Sequence, residues 1–340
     1  MVYVNILVTG GLGYIGSHIC VELSEAGHSA VIVDDCSNAS PRVLARLGQI
    51  TGKTFPFYQE DVQNEAALDR IFAAHEIDAV IHLAGFKSAP ESTQKPLQYY
   101  TNNVAGTLAL LRAMERAGVR RIVYSSSACV YGGVTEMPVG EDAPVSAINP
   151  YGESKLMCER VITDLCRSDA RWGALLLRYF NPVGAHPSGL IGEDPRGEPG
   201  NVAPRILRVL MGRDAYFTLT GNDFPTPDGT GIRDYLHVVD LARGHVSAAR
   251  RVMEAPGALT LNLGTGRGVS VLEMVHAFER AAGKPVPYQV LPRRPGDAAE
   301  SVARADRARE ALGWQAAYSL DDMCRDAWRW QKNNPRGYED

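Results

Sequence analysis

Residues 5–16, Asn-Ile-Leu-Val-Thr-Gly-Gly-Leu-Gly-Tyr-Ile-Gly, constrain this chain more than any other stretch. Asn5–Thr9 reads as a short buried strand. It runs straight into glycines at positions 10, 13 and 16, and a helical pattern extends from about Tyr14 to Ala26. Glycines at this spacing let a strand-to-helix turn tighten, let the helix pack on the strand, and let the backbone approach a pyrophosphate. The helix N-terminus adds unpaired N–H groups and a partial positive charge for that anion. A glycine turn alone also serves ordinary strand termination. In the first strand–helix junction of an alternating chain it specifies a dinucleotide pocket.

The chain does alternate. Apolar runs at Ala30–Asp34, Ala79–Leu83, Arg121–Ser126 and Ala174–Phe180 are separated by helical patterns near Glu65–His75, Thr101–Ala117 and Tyr151–Cys166. Nearly continuous apolar strands between helices predict a parallel sheet covered on both faces, a doubly wound (Rossmann) α/β fold. Beyond Asn181 the segments 181–200 and 221–231, rich in Gly, Pro and Asp, read as ordered loops. Periodicity returns in a helix at Val238–Arg250, a strand at Leu261–Gly264 and a helix at Val271–Ala282. The expected division is a cofactor-binding domain over 1–180, with segments near 235–265 returning to it, and a smaller α/β substrate-binding domain over 181–340.

A formal charge of −4 argues against a nucleic-acid-binding surface and requires any anionic ligand to be held by a local set of donors. No apolar run approaches the roughly 20 residues that span a bilayer, so no membrane partner is expected. The N-terminal residues enter the first strand pattern directly, without a signal-peptide pattern. Six cysteines are scattered with no Cys-x-x-Cys pair, which reads as reduced thiols in a cytoplasmic protein. No His/Cys/carboxylate cluster has metal-ligand spacing.

Asp34 lies 18 residues after Gly16, where an acidic side chain accepts hydrogen bonds from an adenosine ribose. Its carboxylate would repel a 2′-phosphate, and residues 35–41 contain no arginine to offset that, so NAD is favoured over NADP. For Asp34 and Asp35 the plain alternative is a turn aspartate. Asp61 either contacts the adenine or caps the helix beginning near Asn64, and both readings stay open.

Tyr151 and Lys155, four apart in Tyr-Gly-Glu-Ser-Lys, share one helix face. A free phenol has a pKa of about 10 and is a poor base at neutral pH. An ammonium about 4 Å away contributes roughly 4 kcal/mol at an effective dielectric near 20, equivalent to about 3 pKa units. Tyr-x-x-x-Lys also occurs by chance on solvated helix faces. Ser125-Ser126-Ser127, at the C-terminal edge of the sheet and 24 residues before Tyr151, favours a hydroxyl relay from substrate to tyrosine.

With these motifs the chain resembles the extended short-chain dehydrogenase/reductases, NAD-dependent enzymes acting mainly on nucleotide sugars. The resemblance covers essentially the whole chain. It rests on Val8–Gly11, His82–Lys87, Asn102–Thr107, Ser125–Gly132, Tyr151–Lys155, Arg178–Pro187 and Asp228–His237. It implies that Ser127, Tyr151 and Lys155 are catalytic. Gly10, Gly13, Tyr14, Ile15, Gly16, Asp34, Asn38, Asp61, Val62, Leu83, Ala84, Gly85, Lys87, Asn102, Ser125 and Tyr179 are implied to surround NAD, with Tyr151 and Lys155 also touching it. Asn181, Asn201, Val202, Thr218, Arg233, Arg294 and Asp297 are implied to hold a uridine diphosphate, together with Lys87, Ser127 and Tyr151 on the substrate side. Arg293 reads as a solvated surface residue.

Relatives that dehydrate or decarboxylate nucleotide sugars carry an acidic residue just after the serine-bearing strand. Here Ala128-Cys129 stands in that place, which withholds the acid/base partner those reactions need. The resemblance then implies reversible oxidation at C4, interconverting UDP-glucose and UDP-galactose through a 4-keto sugar. A net oxidoreductase that releases NADH is the alternative. A catalytically dead nucleotide sensor ranks last, because tyrosine and lysine are both kept. Ser301 falls at a pocket-wall position that is a bulky tyrosine in members restricted to unacetylated sugars, so UDP-GlcNAc and UDP-GalNAc are expected substrates as well. The alternative for Ser301 is a surface loop. Family members are usually homodimers, and Thr101–Ala117 and Tyr151–Cys166 are the candidate interface helices; the alternative is that their apolar stripes face the sheet.

Overall fold

The computed structural model describes residues 3–293 and 297–339. Its strands in chain order are β1 Asn5–Thr9, β2 Ser29–Val33, β3 Phe57–Tyr58, β4 Ala79–His82, β5 Arg121–Ser125, β6 Gly173–Tyr179, β7 Asn181–Val183, β8 Phe217–Thr220, β9 Ile232–His237, β10 Gly257–Leu263, β11 Gly268–Ser270, β12 Tyr288–Leu291 and β13 Glu300–Ser301.

Seven of them form one sheet in the order β10-β6-β5-β4-β1-β2-β3, with every neighbouring pair parallel. The two-residue period of a strand sorts its apolar side chains into two layers. Ile6, Val8, Ile32, Ile81, Val123, Leu175 and Leu177 join the core on one face, with Ile19 and Leu23 of the helix Tyr14–Glu25 and Leu241 and Ala249 of the helix Val238–Glu254. Leu7, Val31, Val33, Val80, Ile122, Tyr124 and Leu176 join the core on the other. Their partners there are Leu68 and Ile71 of Glu65–Ala74, Leu110 and Met114 of Gly106–Ala117, and Cys158 and Ile162 of Pro150–Ser168. Burial on both faces is why these strands read as unbroken apolar runs.

The long helix expected over Thr101–Ala117 differs in detail. Tyr100–Ala105 forms a π turn, and the α-helix begins at Gly106. The wider turn brings Asn102 and Asn103 onto the same target, the Phe86 amide, at 3.2 and 2.8 Å.

In the second half, β9 pairs with β7 and β13 in parallel and with β11 antiparallel, and β8 pairs with β12. A separate core of Val183, Ile206, Phe217, Leu219, Met274, Phe278 and Met323 lies beneath them. The segment expected as loop from 181 therefore opens with a strand, because Asn181–Val183 finds backbone partners in Tyr235–His237. A 3₁₀ turn at Gly337–Glu339 closes over residues 189–194: the Tyr338 hydroxyl meets the backbone of Gly192, and Asn334 donates to the Gly189 carbonyl. No helix among the described residues is long and apolar enough to cross a membrane, and all six thiols are free.

Candidate active site

At Gly10 the backbone is left-handed, φ +70°, and an added Cβ would lie 2.9 Å from the Ala84 nitrogen. At Gly16 an added Cβ would lie 2.2 Å from the Gly10 carbonyl oxygen. Turn, helix and the end of β4 thus interlock through positions that admit no side chain. The helix starts at Gly13 with no side-chain cap and no acidic residue in its first turn, which leaves its amides open to an anion.

Asp34 stands one residue past β2 and is buried. Its Oδ2 accepts the Leu12 N–H at 3.0 Å and its Oδ1 the Cys36 N–H at 2.9 Å. Burial raises its pKa, and these amides oppose the rise. The loop beyond it has no arginine of its own, but Arg196 reaches it from far along the chain and donates to the Ser37 and Ala39 carbonyls at 3.0 and 2.7 Å. Asn38 in that loop is exposed.

The Tyr14 hydroxyl donates to the Gly184 carbonyl at 2.7 Å, and Ile15 packs against the core. Asn64, not Asp61, caps the following helix by accepting the Ala67 amide at 3.2 Å. Asp61 accepts the Gln63 amide at 2.8 Å, and Val62 is buried. The Leu83 and Ala84 amides donate to the Thr9 carbonyl and hydroxyl at 3.1 and 3.4 Å. An added Cβ on Gly85 would meet Asn103 Oδ1 at 3.0 Å and Lys155 Nζ at 3.8 Å. Lys87 pairs with Glu193 at 3.2 Å.

The serines at the end of β5 take three different partners. Ser125 Oγ lies 2.9 Å from His245 Nε2. Ser126 Oγ donates to Glu159 Oε1 at 2.5 Å, and Glu159 holds Arg178 through two bonds at 2.9 and 2.6 Å in a buried pair. Ser127 Oγ accepts the Cys129 amide at 3.2 Å, and its hydroxyl favours ionisation of the Tyr151 phenol. The Tyr151 helix starts at Pro150, capped by Asn149 Oδ1 accepting the Gly152 amide at 2.9 Å.

One expectation is corrected here. Tyr151 is buried, and its phenol pKa lies well above the ordinary value, chiefly through burial and then through the neighbouring Cys129 and Tyr179. Lys155 Nζ donates to the Ser125 carbonyl at 2.8 Å and sits 5.0 Å from the centre of the Tyr124 ring. Burial lowers the ammonium to about 8, opposed by Cys158 and Glu159. For Tyr151 desolvation dominates, and among these causes Ser127 alone opposes the rise. Tyr179 ends β6, and burial pushes its phenol up to about 12.

On the other side, Asn181 lies in β7. Asn201 precedes the helix Val202–Leu210 without capping it and points its amide at Glu193 Oε1, 3.5 Å away. Thr218 lies in β8 between the buried Phe217 and Leu219. Arg233 on β9 is the register partner of Ser301 on β13, so Ser301 is a part-buried strand residue and not a surface loop. Among the described residues no carboxylate pairs with Arg233, whose Nη1 donates to the Ile232 carbonyl at 2.8 Å. Asp297 is exposed, and Arg294 lies outside the described residues. Arg293 pairs with Asp223 at 3.0 Å beside the Phe224 ring.

Sequence reasoning passed over Asn103, Glu159, Glu193 and His245. Asn103 links the Phe86 backbone to Ser154 of the helix that carries Tyr151 at 3.1 and 2.9 Å, and its signal was adjacency to Asn102. A lone histidine on an apolar helix stripe, like His245, gives no such signal.

A parallel sheet with a glycine cradle at the end of β1, and Ser127, Tyr151 and Lys155 gathered at the end of β5, defines an extended short-chain dehydrogenase/reductase. The chain belongs to the NAD dependent epimerase/dehydratase family, whose model matches residues 6–264. It is 53% identical over 337 residues to the UDP-glucose 4-epimerase of Dictyostelium discoideum, covering 99% of this chain and 98% of that protein. Identity to the UDP-glucose 4-epimerase of Bacillus subtilis is also 53%, over 98% of each chain. The crystal structure of UDP-glucose 4-epimerase from Bifidobacterium longum in complex with NAD+ and UDP superposes with a TM-score of 0.95 at 48% identity, covering 98% of this chain and 99% of that one.

Proposed function

We propose that the protein is an NAD-dependent C4 epimerase interconverting UDP-glucose and UDP-galactose. The observation that carries this reading is the Tyr151 phenol, buried against Ser127 with Ala128 and Cys129, and no carboxyl group, following the strand. The cradle at Gly10 and Gly16, the open helix N-terminus and buried Asp34 suit a dinucleotide diphosphate and its ribose. NAD bound there would supply the acceptor and donor for the C4 hydride.

Tyr151 Oη takes the proton of the C4 hydroxyl and later gives it back, with Ser127 as the relay. Because burial raises the phenol, positive charge must offset it, and Lys155 supplies the chain's own cation on that helix face. Tyr179 lies beside the nicotinamide. Asn181, Asn201, Val202, Thr218, Arg233, Arg294 and Asp297 grip the nucleotide, the arginines by paired N–H donors. The 4-keto hexose, held loosely, turns over between the two transfers.

Ser301, register partner of Arg233, leaves room for a 2-acetamido group, which extends the reading to UDP-GlcNAc and UDP-GalNAc. The same reading treats 1–180 with 235–265 as the cofactor unit and the remainder of 181–340 as the sugar-nucleotide unit, in a cytoplasmic homodimer. Assaying the purified protein with UDP-galactose and UDP-GalNAc in parallel tests it. Epimer formation without lasting absorbance of reduced nicotinamide is expected, and stoichiometric NADH would point to a net oxidoreductase.

A further inference from the structure

Strands β4, β1 and β2 are neighbours in that order and parallel, so the segments that follow them leave from one edge of the sheet. The glycine turn follows β1. Residues 192–196 form a strap that reaches the segments on either side of it. At one end Arg196 donates to the Ser37 and Ala39 carbonyls, beyond β2, at 3.0 and 2.7 Å. At the other the Glu193 carboxylate accepts from Lys87, beyond β4, at 3.2 Å, and from Asn201 at 3.5 Å. The three residues from 193 to 196 extend at most roughly 11 Å. Strands two places apart in a sheet lie about 10 Å apart, so the strap matches the gap it crosses. Tyr14, the first residue of the helix after the glycine turn, lies near Glu193: burial and then this carboxylate raise its phenol well above the ordinary value.

The root of the strap is fixed. An added Cβ on Gly192 would lie 2.3 Å from the Trp330 ring, and Trp330 Nε1 donates to the Glu193 carbonyl at 3.2 Å. The Tyr338 hydroxyl accepts the Gly192 amide and donates to the Gly192 carbonyl, both at 3.1 Å. The Tyr338 amide donates to Asp194 Oδ2 at 2.9 Å. The outer end is different, because Arg196 is exposed. What it grips is under strain: Cys36, just before Ser37, has a left-handed φ of +60° although it carries a side chain.

We propose that residues 192–196 are a gate over the dinucleotide site and that Arg196 is its latch: the cofactor enters and leaves when Arg196 lets go of the Ser37 and Ala39 carbonyls. This rests on the reading of the glycine turn as the NAD site. The latch is a bond within the protein, so weakening it speeds passage in both directions and leaves Kd nearly constant. Loss of a contact to the cofactor itself would instead raise the release rate and Kd together.

The test uses purified wild type and the variants Arg196→Ala, Arg196→Lys and Tyr338→Phe. Exchange of bound NAD for deuterated NAD, followed by mass spectrometry, gives the release rate, and equilibrium dialysis gives Kd. Arg196→Ala should release NAD about tenfold faster, with Kd within about twofold of wild type. Arg196→Lys, with a single point donor, should fall between the two. Tyr338→Phe loosens the root and should also speed release; should it fail to fold, the exposed Arg196 variants decide alone. An unchanged release rate in Arg196→Ala, or a Kd that weakens in step with that rate, would overturn the proposal. Failure of the underlying reading would show separately, as a wild-type protein that takes up no NAD in dialysis.

Discussion

Lys155 Nζ donates to the carbonyl oxygen of Ser125 at 2.8 Å, tying the helix Pro150–Ser168 to the last residue of β5. The ammonium is buried, and its pKa falls from 10.5 to about 8. The folded state therefore loses this proton before the unfolded chain does. The cost of burying the charge is fully present below about 8 and is relieved as pH rises towards the unfolded value. Relative to wild type, the stability of Lys155→Met should fall by about 2 kcal/mol between neutral pH and about pH 10. Urea unfolding at both pH values measures this, and a difference independent of pH would contradict it.

Tyr151→Phe keeps the buried ring and removes the oxygen proposed as the acid/base group. Turnover of UDP-galactose should drop by roughly 10²- to 10⁴-fold. UDP binding by calorimetry should remain near normal, because the residues proposed to grip the nucleotide lie on β7, β9 and the segments beyond.

Gly16→Ala would push a methyl to 2.2 Å from the Gly10 carbonyl oxygen. The backbone must shift, at a cost of about 1–3 kcal/mol, and the cradle should lose its cofactor. Gly13→Ala, where the same contact would be 3.2 Å, should be milder on both counts. Thermal unfolding and cofactor content after gel filtration compare the two, and equal effects would refute the argument.

Removing charge from Glu159 leaves Arg178 buried without its partner and weakens the anchor of Ser126. Glu159→Gln should lose about 3–5 kcal/mol of stability in denaturant titrations. Pairing it with Arg178→Met should recover part of the loss, since the stranded charge is then gone.

Ser301→Tyr fills the space beside Arg233. Activity on UDP-GalNAc should disappear while activity on UDP-galactose persists. An unchanged ratio between the two substrates would mean that another residue sets the width of the pocket.

The helix Val271–Ala282 was legible to the residue because its ends are written in the chain: the Ser270–Glu273 capping box starts it and left-handed Gly283 stops it. β1 was equally plain. β9 was not, since Arg233 and Asp234 interrupt its apolar run. Buried Asp234 is satisfied by the amides of Thr265, Gly266 and Ala303, which no local pattern announces. The site divides in the same way. Glycines, serines, tyrosine and lysine at strand–helix junctions are local signals that parallel topology gathers at one sheet edge. The partners of Lys155, Lys87 and Ser125 are a carbonyl, a distant carboxylate and a buried imidazole, and folding alone selects them.

Asp34 carries one further implication, for how this protein can change over time. Its two carboxylate oxygens already receive the amides of Leu12 and Cys36, so the side chain expected to read the ribose is also a strut of the loop that cradles the diphosphate. An asparagine there would turn an N–H₂ towards one of those amides, and an alanine would strand both. A lineage drifting towards a phosphorylated cofactor could not begin by replacing this residue; the loop would first need another support, and the order of the changes would be dictated by architecture before selection acted on preference.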